Sequence, residues 1–231
     1  MIGIDQETVY RALFHGVSRV TDCCPRSGAR LLDEAVDHLL GNRLLLWHLL
    51  KKNVARLRNI SDFRRLLVIS DLNIGDAINV QAGIRALREY FQDAQIDYVF
   101  GRCADDLVRS GRDISRVFPV LTGSPRPNGH DLRIIDEILR AKRYDVVFNF
   151  CPFITDDQLH STDNVIGCYA LVSTLAHNHG TADEVNQIGY QTYEYIHTLF
   201  SGIREPEKKS RYTGVQITIS DAAIDGAHRF L

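Results

Sequence analysis

The stretch "RRLLVISDLNIGDAINVQAGIRALREYF", residues 64–91, decides the fold. Its opening, "LLVIS", is a short apolar run of strand character, and its second half, "INVQAGIRALREYF", sets Val80, Ile84, Leu87 and Phe91 on one helical stripe. Between them stands a polar loop, "DLNIGD", followed after the helix by a second strand, "IDYVFG". Strand, loop, helix and strand make one βαβ unit.

The alternation continues downstream. "ADDLVRSG" reads as a short helix and "RVFPVL" as a third strand. "DLRIIDEILRAKRY" reads as a helix with Leu132, Ile135, Ile138 and Leu139 inward, and "YDVVFNF" as a fourth strand. Alternation of this kind predicts an α/β fold, a Rossmann-like open parallel sheet of four or more strands with helices on both faces. "LLVIS" is expected at its centre, because both faces of that run are apolar. "NVIGCYALVSTLAHN" and "NQIGYQTYEYIHTLFSGI" read as two further helices.

Upstream, "SGARLLDEAVDHLLGNRLLLWHLLKKNVARLRNI" repeats its apolar residues every three to four positions and predicts an amphipathic helical extension over 1–62. Leu39, Leu40, Leu44 and Trp47 are expected to pack on the α/β domain. The basic residues Lys51, Lys52, Arg56 and Arg58 offer a membrane-surface alternative, which packing outweighs. The α/β domain is expected over 63–205. Residues 206–231, with a charged linker containing "KKSR" and then "VQITIS" and a helix opening, read as the entry to a second, truncated domain.

Composition narrows the classes. The 231 residues are 45% hydrophobic and 24% charged, enough to bury a core, and the formal net charge is -2, which gives no general pull toward nucleic acid. Cys23, Cys24, Cys103, Cys151 and Cys168 form no C-x-x-C pair, which fits a reducing, cytoplasmic setting. No stretch approaches the roughly 18 apolar residues of a membrane span.

Three chemistries compete for "DLNIGD". A dinucleotide fingerprint needs several glycines, and Gly75 stands alone. A calcium loop starting at Asp71, with Asn73 and Gly75 as ligand positions, would put Asp76 where the turn glycine belongs and Ala82 in place of the last glutamate. The third reading sets Asp76 at a helix mouth beyond the C-terminal end of the first strand, where open α/β sheets bind ligands. A carboxylate there can act as a base. The plain reading is a helix cap, stabilising by about 0.5 to 2 kcal/mol.

The run from "LLVISDLNIGDAINVQAGIRALREYFQDAQIDYVFG" through "ISRVFPV" to "RYDVVFNF" resembles the acceptor-side domain of family 9 glycosyltransferases, the ADP-heptose:lipopolysaccharide heptosyltransferases and their relatives. That family has a strand, a short loop ending in Gly-Asp, a helix, and a second strand after a wording close to "FQDAQIDYVFG". The resemblance implies the N-terminal half of a GT-B architecture, in which this chain holds the acceptor and a following domain holds the nucleotide-sugar, ADP-heptose in the family. It implies Asp76 as general base of an inverting transfer to a glycan or other hydroxyl acceptor. Asn73, Gly75 and Asn149 fall at the acceptor, no metal or other cofactor is required, and no nucleic acid is bound. Peripheral contact with the inner membrane, through a lipid-linked acceptor, belongs to the same expectation. Residues 1–231 alone are expected to lack transferase activity.

The departures lie at the expected acceptor pocket. The family has Lys or Arg where Ser70 stands and small hydroxyl residues where Leu72 and Asn73 stand. After the fourth strand it has Asp, then Gln-Gly, against Asn149, Cys151 and Pro152 here. A non-catalytic carbohydrate- or partner-binding domain is therefore the alternative. Asp156, Asp157, His160 and Asp163 crowd the next loop without the spacing of an established metal site. His177 and His179 read as helix-end residues, and Cys23 and Cys24 as ordinary buried ones.

Overall fold

The computed structural model describes residues 43–70, 74–109, 111–121, 127–151, 153–154, 158–159, 162, 164–168 and 184–208. The chain divides into two compact units, Met1–Asn53 and Val54–Leu231. Of the first unit, the described residues are 43–53, all within helix α1 (Arg43–Arg58). The expected packing of Leu39, Leu40, Leu44 and Trp47 concerns side chains outside the described ones.

The second unit is a five-stranded parallel sheet in the order β3-β2-β1-β4-β5. The strands are β1 (Arg65–Ile69), β2 (Gln95–Gly101), β3 (Arg116–Leu121), β4 (Val146–Asn149) and β5 (Val165–Gly167). Helix α2 (Ile74–Tyr90) follows β1. After β2 come a 3-10 turn (Arg102–Ala104) and the short α3 (Asp105–Val108). Helix α4 (Gly129–Lys142) joins β3 to β4, and α5 (Glu184–Phe200) is the last described element. β1 is central, as expected, and Leu66, Leu67, Val68 and Ile69 are all fully buried. Helices or loops cover both faces of such a strand, so it has no alternating polar residues. Pro119 has no N–H to give and sits on the edge strand β3, where the register with β2 slips at Phe100/Gly101.

Period-two alternation sorts the core into two sides. Leu67, Ile69, Val99, Val147 and Val165 face Ile135 and Leu139 of α4, with Leu132 and Ile138 packed alongside. On the other face α2 lies on the sheet and α5 lies against α2, with Val80, Ile84, Leu87 and Phe91 buried as the stripe requires. The two helices approach closely at Gly83, where an added Cβ would stand 2.8 Å from Thr192 Cγ2. Farther along, Tyr193 donates to both oxygens of buried Glu89 at 3.0 Å, and Tyr90 meets His197 Nδ1 at 2.9 Å.

Two expectations need correcting. The segment read as a helix from Asn164 opens with strand β5, paired in parallel with β4 through Val147↔Val165 and Phe148↔Ile166. Three residues are too few for a period to declare itself, and hydrogen bonding to β4 decides the matter. Helix α2 starts at Ile74, four residues before the start at Ile78 read from the sequence, so Gly75 and Asp76 form part of its first turn.

Candidate functional site

The strand order places a reversal between β1 and β4. From β1 the chain steps outward through β2 to β3, then returns to the other side of β1 with β4. Ligands of open α/β sheets bind in the crevice this reversal leaves at the C-terminal strand ends. The residues at that place are Ser70 after β1, the first turn of α2, and Asn149 to Cys151 leaving β4.

Asp76 is the third residue of α2 and is partly exposed, beside exposed Ile74 and Gly75. A side chain built on Gly75 would meet nothing within 4 Å, so its missing Cβ leaves the helix mouth open and no packing demands it. The first turn is fastened from the sheet. Tyr98 on β2, fully buried, donates its hydroxyl to the Ala77 carbonyl at 2.9 Å and is hydrogen-bonded by Ser70, itself fully buried. Burial pushes the Tyr98 phenol well above its ordinary range, and the negative charge of Asp76 pushes the same way, against the Ser70 hydrogen bond. Tyr98 therefore stays a neutral donor beneath the turn that carries Asp76.

Asn149 belongs to the opposite face. Its Nδ2 donates to the Ile154 carbonyl at 2.7 Å and its Oδ1 accepts from the Cys151 backbone N–H at 3.1 Å, so the amide shapes the loop leaving β4. The structure brings Asp76, Ser70 and Tyr98 together on the α2 side and sets Asn149 on the α4 side of the same edge. Asn73 lies outside the described residues, as do Asp156, Asp157, His160, Asp163, His177, His179, Cys23 and Cys24. Nearby, Ile154 and Leu159 are buried in the α4-side core. Among the described residues no group of three or more His, Cys, Asp or Glu is placed to hold a metal ion. No described helix is long and apolar enough to cross a membrane.

Sequence reading singled out Asp76 and named Ser70 only as a departure from the family pattern, and it did not single out Tyr98. A tyrosine amid the apolar residues of "IDYVFG" was the available signal, because a buried phenol needs a hydrogen-bond partner.

A parallel sheet whose strand order reverses beside its central strand, with helices on both faces and a carboxylate at the mouth of the helix after that strand, defines a Rossmann-like domain. Its fold matches the glycosyl transferase family 9 from Veillonella parvula DSM 2008 with a TM-score of 0.52 at 15% sequence identity, covering 73% of this chain and 49% of that one. This chain thus spans about half the length of that structure, and the likeness is one of fold. No protein-family model and no curated protein matches the sequence.

Proposed function

We propose that the unit Val54–Leu231 is the acceptor side of a sugar-transferring cleft of the heptosyltransferase type, with Asp76 as general base. The observation that carries this reading is the position of Asp76: in the first turn of α2, partly exposed, at the reversal between β1 and β4 in a fold shared with a family 9 glycosyl transferase. In the reaction proposed, the acceptor hydroxyl gives its proton to the Asp76 carboxylate while its oxygen attacks the anomeric carbon of a nucleotide-sugar. The bond from that carbon to the nucleoside diphosphate breaks, and its electron pair leaves with the diphosphate. The configuration inverts, and no metal or other cofactor is required of this half. Gly75 gives the acceptor room at the helix mouth and Asn149 shapes the opposite wall, and the family resemblance adds Asn73 as a further acceptor contact. A lipid-linked acceptor would bring the protein to a membrane surface in the cytoplasm.

A second reading, a domain that binds a carbohydrate or partner without catalysis, is favoured by one feature. The spacing Asn73-x-x-Asp76 is also that of a helix cap, so Asp76 has a structural role ready to hand. One experiment separates the two. In the whole protein supplied with nucleotide-sugar and acceptor, Asp76→Asn should abolish most transfer and leave sugar binding and melting temperature near normal. Near-normal transfer by that variant would remove Asp76 as the base and leave the binding reading.

A further inference from the structure

Helix α5 is followed by a segment that turns back onto α2. Gly202 stands in the left-handed region at φ +76°, which lets the chain reverse where the helix ends, and the Ile203 N–H returns to the Phe200 carbonyl at 2.9 Å. Residues 204–208 are then fastened to the far end of α2. Arg204 Cζ lies 4.9 Å from the centre of the Phe91 ring, and its guanidinium pairs with Glu207. Glu207 Oε2 accepts from the Gln92 N–H at 3.2 Å, and the Lys208 N–H donates to the Glu89 carbonyl at 3.1 Å. The last carbonyls of a helix have no partner within it, so this segment closes the C-terminal end of α2.

Helix α5 and the segment after it are held by different forces. Tyr195, Ile196, Leu199 and Phe200 of α5 are buried, and Phe200 packs edge-on against Phe63 and Phe91. The segment is held by polar contacts instead. Its Arg204 and Glu207 side chains are 42% and 36% exposed, and an ion pair so placed is weak and screened by salt. Few buried contacts and exposed hydrogen bonds mark a part of a fold that opens by itself. Opening at Gly202 frees the seven residues 202–208 while α5 stays in place, and adds up to roughly 25 Å of reach to the chain after Lys208.

We propose that residues 202–208 are a latch, fastened by Arg204 to the end of α2 and able to open without α5. Latched, the chain after Lys208 starts from Glu89, in the last turn of α2. Unlatched, it hangs from the end of α5 on a tether. Under the acceptor-side reading, which the latch does not require, that tether sets how far a following half can part from the crevice.

The test is amide hydrogen exchange of residues 1–231, resolved by residue with NMR, in the wild type and two variants. In the wild type Lys208 and Gln92 should be protected to the same degree, and less than Tyr195 and Leu199. Arg204→Gln removes the charge from both the Phe91 stack and the Glu207 pair. It should speed exchange at Lys208 and Gln92 by about tenfold, while Tyr195 and Leu199 keep their rates. Glu207→Gln keeps an acceptor for Gln92 and loses only the ion pair, so it should speed the same two amides by less, about threefold. Three results would overturn the latch. One is a Lys208 amide without protection in the wild type. Another is Tyr195 and Leu199 accelerating as much as Lys208 in Arg204→Gln, which would mean that the segment opens only together with α5. The third is exchange at Lys208 and Gln92 that Arg204→Gln leaves unchanged.

Discussion

Helices α2 and α4 open on the same local pattern and are held in different ways. Asn128-Gly-His-Asp131 begins α4 with a closed capping box: Asn128 Oδ1 accepts from the N–H groups of His130 and Asp131 at 2.8 and 3.1 Å, and Asp131 Oδ2 accepts from the Asn128 N–H at 2.9 Å. Asp131 is fully buried. Asn73-Ile-Gly-Asp76 repeats the spacing at α2, yet Asp76 is partly exposed, and the turn is fastened from beneath by Tyr98 and gripped farther along by α5 at Gly83. The two helices differ in address as well: α4 follows the edge strand β3, and α2 follows the central strand at the reversal.

The comparison breaks most sharply at the two aspartates. Asp76→Asn is expected to lower transfer by about 10² to 10⁴, because an amide cannot take the acceptor's proton at neutral pH. Its melting temperature should hardly move. Asp131→Asn should do the reverse, with normal transfer per folded molecule and a lower melting temperature. Equal kinetic losses at both positions would mean that the aspartates share a structural role.

The next effect tests the grip on α2. Gly83→Ala puts a methyl 2.8 Å from Thr192 Cγ2 in a packed helix pair, an overpacking expected to cost about 1 to 3 kcal/mol in urea unfolding. Thr192→Ser removes that methyl and should restore most of the loss. If Gly83→Ala is neutral, α5 does not grip α2 as closely as drawn here, and the contrast with α4 weakens. On the α4 side, Asn128→Ala should cost about 1 kcal/mol by opening the capping box, with faster amide exchange confined to His130 and Asp131.

What could be read beforehand follows from how local each cause is. Strands β1 to β4 are runs of apolar residues, and the stripe Val80, Ile84, Leu87, Phe91 is a local period, so both were legible. β5 was not, because Val165, Ile166 and Gly167 become a strand only by pairing with β4. The start of α2 was placed late because Gly75 and Asp76 are turn-like residues, and their helical state rests on Tyr98 reaching Ala77 across the sheet. Asp76 was legible as a candidate from its place after the central strand. The use of the Asn149 amide within its own loop depends on Ile154, which only the folded chain brings near.

The smallest effect sharpens the comparison most, because it isolates the anchor under α2. Tyr98→Phe deletes one buried hydroxyl and its bond to Ala77, and should cost about 0.5 to 1.5 kcal/mol near pH 8. The cost should vanish with alkali. The native phenol is held well above its ordinary value of 10.0, chiefly by burial. Between the two values the unfolded chain has lost the proton and the folded chain keeps it. Stability from this group is therefore complete below about pH 10 and falls as pH rises, by up to about 1.4 kcal/mol per pH unit. Tyr98→Phe lacks that loss, so its stability curve should meet the wild-type curve roughly one unit above pH 10. Tyr144 supplies the control on the α4 face. Its hydroxyl donates to buried Asp97 at 2.7 Å, and burial first, then that bond, raise its pKa too. Tyr144→Phe should flatten the alkaline decline in the same way, yet leave amide exchange at Asp76 and Ala77 unchanged, whereas Tyr98→Phe should speed it. Equal exchange in the two variants would show that Tyr98 does not hold the first turn of α2, and the distinction between the helix that caps itself and the helix anchored by the sheet would be lost.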